Sequence, residues 1–196
     1  MKIYLLSGWS GSGKDTVGSI LIKTYGFQRF AFADSLKQMV ATEFGFPVEW
    51  AHTEAGKNTV ISSVGKTVRQ LLIQRGQEIR NEKGDLGFFA RGVATEIQNL
   101  GYSGTIPEGI VITDWRLPVE YETLKQCLTY PIVKVRVRRW GQHTSPIADS
   151  ETEHQLDNWT FDCSVNNLGN GLRDLEIEVS QKLIQQNLNT QSNQRL

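Results

Sequence analysis

Residues 8–14 read Gly-Trp-Ser-Gly-Ser-Gly-Lys, between the short apolar run Ile3–Leu6 and a segment where Val17, Ile20, Leu21 and Tyr25 recur at helical spacing. A buried strand that turns sharply into a helix is therefore expected at the start of the chain. The glycines permit a tight backbone path that aims several N–H groups inward, and the following helix adds its positive N-terminus. Lys14 adds a mobile full charge. The spacing is that of the phosphate-binding loop G-x-x-x-x-G-K, with Lys14 placed for the β- and γ-phosphates of a nucleotide. Asp15 stands where Ser or Thr normally ligates Mg²⁺, and Thr16 comes one residue later. Asp15 would reach Mg²⁺ directly or through water, or else cap the helix and leave the metal to the substrate. Thr16 would offer its hydroxyl to a phosphate. ATP with Mg²⁺ is the expected cofactor pair.

Downstream, Phe27–Phe32 reads as a strand, and Asp34 as the N-cap of a helix carrying Leu36, Met39, Val40 and Phe44. Residues 46–65 mix Pro47, Gly56 and Gly65 with polar residues and show no period, so an irregular insertion is expected there. Helices are expected around Val68–Ile79 and over 85–100, with a loop from Gly101 to Gly109. Ile110–Thr113 is the clearest buried strand and ends at Asp114; Leu117–Leu128 follows as a helix. In Ile132–Val137 valines alternate with Lys134, Arg136 and Arg138, a strand with one polar face on which Lys134 and Arg136 are structural. Phe161–Val165 is a last strand and Leu172–Leu188 a last helix. Residues 189–196 form a polar tail expected to fray. Strands separated by helices imply parallel pairing and a three-layer α/β fold, with ligands beyond the carboxyl ends of the strands.

Charge narrows the function. The 196 residues carry 21 Lys+Arg against 21 Asp+Glu, whereas a general nucleic-acid binder carries a basic excess. No apolar stretch approaches the roughly 18 residues that span a bilayer, and Met1–Leu6 meets Ser7-Gly8 too soon for a signal peptide. A soluble, cytoplasmic protein with small-molecule partners is expected, without direct nucleic-acid or membrane binding. Cys127 and Cys163, the only cysteines, exclude a disulfide scaffold and read as small buried hydrophobes. The guanine-reading N-K-x-D pattern of GTPases is absent, since Asn58 precedes Thr59 and Asn81 precedes Glu82. A small phosphotransferase remains.

The segments GWSGSGKDTV (8–17), FADSLK (32–37), VRQLLIQRG (68–76), VITDWRLPVE (111–120) and Val165–Asn167 occur in an order that resembles the deoxynucleoside monophosphate kinases of tailed phages, relatives of the adenylate kinase superfamily. The resemblance spans residues 2 to about 185. It implies a single P-loop kinase domain over 1–188, a central parallel sheet of about five strands, and a lid over 139–158. Gly11, Ser12, Gly13, Lys14, Asp15 and Thr16 would hold the ATP phosphates, with Asp15 and Thr16 nearest the metal. Asn166 and Asn167 would lie near the adenine. Asp34, Lys37, Arg69 and Gln74 would border the acceptor. Arg116 would clamp phosphate, Asp114 would orient Arg116 or a metal-bound water, and Arg139 would reach the transferring group. Lys14, Arg116 and Arg139 are the catalytic candidates. The host cytoplasm is the implied location for a phage protein, and a homodimer is compatible with the family.

Simpler readings stand beside these. Arg69, Arg75 and Arg80 also fit a solvated helix face, the three histidines fit surface positions, and most of the Trp and Phe residues fit a core, although Trp9 would face the nucleotide. The rival functions are a kinase for another small acceptor, such as dephospho-coenzyme A or a sugar acid, and a non-catalytic nucleotide-binding module.

Overall fold

The computed structural model describes residues 1–102, 104, 107–141 and 154–185. Its sheet runs β2 (Gln28–Phe30), β5 (Ile110–Ile112), β1 (Ile3–Ser7), β6 (Ile132–Arg139), β7 (Cys163–Asn167), and every neighbouring pair is parallel. The first strand made is thus the middle one. Chain order reverses there, and such a switch point opens a crevice for ligand at the strand's carboxyl end.

Side chains of β1 alternate between two cores. Ile3 and Leu5 face a large cluster with Leu36 and Val40 of α2 (Ala33–Phe44), Val68 and Leu71 of α4 (Val68–Lys83), Ile97 of α5 (Phe88–Tyr102) and Leu124 of α6 (Pro118–Cys127). Tyr4 and Leu6 face a second cluster with Val17 and Leu21 of α1 (Lys14–Tyr25) and Leu175 and Val179 of α7 (Leu172–Val179). Each fully buried aliphatic side chain contributes about 1.5–3 kcal/mol. The three-layer α/β expectation is met, with five parallel strands flanked by helices.

Three local expectations need correction. The 46–65 segment is ordered: a 3₁₀ turn at Val48–His52, α3 (Glu54–Lys57), and an antiparallel hairpin of β3 (Val60–Ile61) and β4 (Lys66–Thr67). Each piece is shorter than one hydrophobic period, so no periodicity shows. The last helix stays α only to Val179, continues as wider π turns over Ser180–Gln185, and beyond that lies outside the described residues, as does the 189–196 tail. The Trp and Phe residues are mostly core, with Trp140 an exception at 82% exposed. Cys127 and Cys163 are half-buried free thiols, and withdrawal from water together with Asp162 pushes the Cys163 thiol up to about 11.

Among described residues, no helix is long and apolar enough to cross a membrane. One buried acid makes stability depend on pH. Glu120, in the first turn of α6, accepts the N–H groups of Arg116 and Leu117 on Oε2, both at 2.9 Å. Burial, aided by the charge of Asp114 and opposed by those amides, pushes its carboxyl up to about 7 from an ordinary 4.5. Between those values the unfolded chain has released the proton and the folded chain keeps it, so rising pH favours unfolding. Stability is expected to fall across pH 4.5–7 by something of order 3 kcal/mol and then level off. Urea melts at pH 5 and pH 7.5 check this: Glu120→Gln keeps an acceptor oxygen but no charge, and an undiminished decline in that variant refutes the assignment.

Candidate active site

The phosphate loop leaves the carboxyl end of β1 and enters α1 at Lys14. Its shape depends on two glycines. A Cβ on Gly8 would run into the carbonyl oxygen of Val137 in β6 and lie 2.7 Å from Ser12 Oγ. Gly13, at φ 102°, is in the left-handed region, and a Cβ there would lie 2.7 Å from Asn167 Nδ2. Asn167 Nδ2 also donates to Ser12 O at 3.2 Å, and Arg139 Nη1 reaches Gly11 O at 3.5 Å. Strands β6 and β7 therefore complete the loop.

Lys14 turns inward. Its ammonium donates to Gly8 O and, at 3.0 Å, to Trp9 O, so the cation lies within the loop's own curve. Ser12 Oγ is buried with no hydrogen-bond partner. An orphaned hydroxyl beside a lysine at a helix N-terminus is a donor set that suits phosphate oxygens. Asp15 and Thr16 are exposed in the first turn of α1. They offer one carboxylate and one hydroxyl, hard oxygen donors of the kind that hold Mg²⁺ when substrate phosphates and water complete its shell. Among described residues no group of three or more His, Cys, Asp or Glu is gathered for a metal, so a metal here would lean on the substrate.

One cavity lies against this loop and a second beside the first turns of α1. The larger, about 1090 Å³, touches Trp9 and Ser12, follows the ends of β6 and β7, and reaches Asp174 and Glu178 on α7. Arg139, Asn166 and Asn167 all line it. Asn166 is held through its N–H (3.1 Å) and Nδ2 (3.3 Å) by Glu178 Oε1. The smaller, about 360 Å³, touches Asp15, Gly18 and Ser19 of α1 and carries Arg29, Lys37, His52 and Lys57.

Asp34 is not the N-cap expected of it. Phe32 takes the cap position without a side-chain bond, and Asp114 arrives from the end of β5 to accept the N–H groups of Phe32 and Ala33 at 2.9 and 3.0 Å. One carboxylate thus serves a helix start 80 residues earlier, which no local pattern reveals. Burial raises the Asp114 carboxyl against the pull of those amides and of Lys37 and Arg116. Asp34 instead joins Arg29 (2.6 Å) and Lys37 (3.0 Å). Burial would raise its carboxyl, but those two bonds outweigh it and hold the group below its usual range. His52 is pushed down by burial and by neighbouring Lys37.

The remaining candidates lie further out. Arg69 pairs with Glu54 (2.5 Å), which also holds Lys57 (3.3 Å) of the smaller cavity, so Arg69 is linked to that cavity at one remove. Gln74 bonds Lys66 (2.6 Å) and Glu78 (2.7 Å) and lines neither cavity. Arg116 is exposed at the strand end beyond Asp114. Of the 139–158 segment, residues 142–153 lie outside the described residues.

Four residues of these cavities escaped sequence reasoning: Arg29, Lys57, Arg136 and Asp157. Arg136 is expected from the sequence to be structural, and its place at a cavity is what the sequence does not show. Its side chain is 9% exposed, donates to Ser7 Oγ at 3.3 Å and to Asp157 at 2.7 Å, and lines the larger cavity. The signal available was its place near the β6 carboxyl edge, three residues before Arg139. Lys134 packs over the Tyr121 ring, 5.3 Å from its centroid.

No protein-family model matches the chain, and no curated protein matches it in sequence. Among solved structures, TT1252 from Thermus thermophilus is similar with a TM-score of 0.50 at 13% identity, over 96% of this chain and 97% of that one. A sugar kinase from Janibacter sp. HTCC2649 gives 0.48 at 13% identity, over 93% and 94%. A gluconokinase from Sinorhizobium meliloti 1021 gives 0.47 at 15%, over 97% of each chain. The likeness is one of fold.

Proposed function

We propose that the chain is an ATP-dependent kinase that transfers a phosphoryl group to a small anionic acceptor, with a deoxynucleoside monophosphate as the first candidate. The observation that carries this reading is a lysine-bearing phosphate loop with one cavity against it and a second, rich in cations, beside the first turns of the helix it enters. ATP would lie along the larger cavity, its phosphates on Gly11–Thr16 and its base toward Asn166. The acceptor would meet Lys37 and Arg29. The bond made joins an acceptor oxygen to the γ-phosphorus, and the bond broken is to the β–γ bridging oxygen, which leaves with ADP. Such transfer needs positioning and neutralisation of spread negative charge, which Lys14, Arg139 and Arg116 would provide. Mg²⁺, held with Asp15 and Thr16, would supply further neutralisation when bound. The monophosphate acceptor is favoured by the FADSLK, VRQLLIQRG and VITDWRLPVE segments.

A second reading has its own support. The smaller cavity holds only about 360 Å³ and its lining includes no Phe, Tyr or Trp, which favours a compact acidic acceptor such as a sugar acid.

ADP release with ATP, Mg²⁺ and a panel of dNMPs, NMPs, sugar acids and dephospho-coenzyme A tests both. Turnover with dNMPs is expected; ATP binding with no monophosphate turned over ends the first reading. Lys37→Ala is expected to raise the acceptor KM at least about tenfold, the worth of one charge-assisted bond, while the ATP KM changes less than about twofold. An unchanged acceptor KM removes Lys37 from the site.

A further inference from the structure

We propose that Asp157 is a positioning residue for the donor nucleotide, tying the phosphate loop to β6 through Trp9 and Arg136; this rests on the ATP reading above. The carboxylate gathers three donors from three parts of the chain. Oδ1 accepts Trp9 Nε1 at 3.2 Å and Arg136 Nη2 at 2.7 Å, while Oδ2 meets His154 Nδ1 at 2.7 Å. Trp9 is the second residue of the loop, and its backbone oxygen is one of the two that hold the Lys14 ammonium. Arg136 lies between the rings of Trp9 and Phe161, 5.8 and 5.4 Å from their centroids, and bonds Ser7, the residue just before Gly8. The Trp9 contact thus ends on the loop, and the Arg136 contacts reach Trp9 and the residue that launches the loop.

That arrangement is more than a stabilising ion pair. A pair withdrawn from water contributes little net stability, because desolvation offsets the attraction. What it does supply is geometry. The indole has two rotatable bonds and stands at the mouth of the larger cavity, beside Ser12. Fixing its Nε1 fixes which wall of the cavity it forms and the path of the carbonyl that orients Lys14. Without Asp157, Arg136 would have no described carboxylate within bonding range, and the indole would lose its acceptor.

The test is calorimetric binding of a non-hydrolysable ATP analogue to the full chain, alongside steady-state kinetics. Asp157→Asn is expected to weaken nucleotide binding about tenfold and raise the ATP KM in step, leaving the acceptor KM within about twofold. Trp9→Phe, which removes only the indole donor, is expected to weaken binding about threefold. Trp9→Phe combined with Asp157→Asn is expected to be no worse than Asp157→Asn alone, since one acts through the other. A merely structural Asp157 would lower the melting temperature without moving these constants. Wild-type affinity in folded Asp157→Asn overturns the proposal. If that variant does not fold, wild-type affinity in Trp9→Phe overturns it instead. Absence of binding by the wild type defeats the kinase reading itself.

Discussion

Lys14→Met is expected to leave a folded protein whose turnover has fallen by about 10²–10³, the equivalent of about 3–4 kcal/mol of lost charge stabilisation. The side chain keeps its length and apolar stem, so packing in the first turn of α1 survives. What goes is the ammonium that donates to Gly8 O and Trp9 O, leaving those carbonyls to water. On the proposed mechanism the same ammonium follows the charge that develops on the leaving oxygens. Lys14→Arg would not restore the rate, because a planar fork does not fit a curve closed around a point charge. Single-turnover kinetics at saturating ATP separates this loss from weaker binding. Retention of more than a tenth of wild-type turnover would exclude Lys14 from transition-state stabilisation.

Trp115→Ala is expected to cost about 3–5 kcal/mol, the largest stability loss of any single substitution considered. Trp115 is fully buried and is the largest such side chain among those described. Its ring lies 5.5 Å from those of Trp159 and Phe161 and 6.0 Å from that of Tyr121. Its Nε1 donates to Leu117 O at 2.9 Å, so the polar edge is satisfied. The same residue sits between Asp114 and Arg116, and its backbone N–H bonds Leu6 O at 3.2 Å. Emptying the site therefore loosens the strand end that carries both. Denaturant melts measure the cost, with Trp115→Phe as the milder comparison. A loss below about 1 kcal/mol would mean that Trp159 and Phe161 collapse into the space.

The parts legible in the sequence are those whose physics is local. Ile110–Ile112 announces itself as a buried strand because every residue is apolar, and the Gly8–Lys14 loop because glycine spacing and a lysine suffice to describe it. The cavity walls are a matter of register instead. Arg136 falls opposite Ser7 in the β1–β6 ladder, and that pairing turns a residue from a valine-alternating strand into a buried cation beside the loop. Asp157 acquires meaning only from three partners, two of them well over a hundred or some twenty residues away. Lys57 joins Lys37 at the smaller cavity through folding of the 48–57 segment, whose pieces are too short to show a period. Asp34 was legible as a functional acid but not as a member of an Arg29–Asp34–Lys37 triplet, since the cap it seemed to supply comes from Asp114.

The central place of β1 has a consequence for synthesis. The loop motif is complete once 14 residues have been made, yet the cradle is not. Val137 of β6 backs Gly8, and Asn167 of β7 holds Ser12. A nascent chain therefore carries the whole motif through most of translation with nowhere to seat a triphosphate. Its neighbours in the sheet are paired across more than a hundred residues, contacts whose loop-closure entropy makes them late. On the proposed function, nucleotide would not template the early fold; it would only seal a finished one, adding stability by mass action after the final strand has docked.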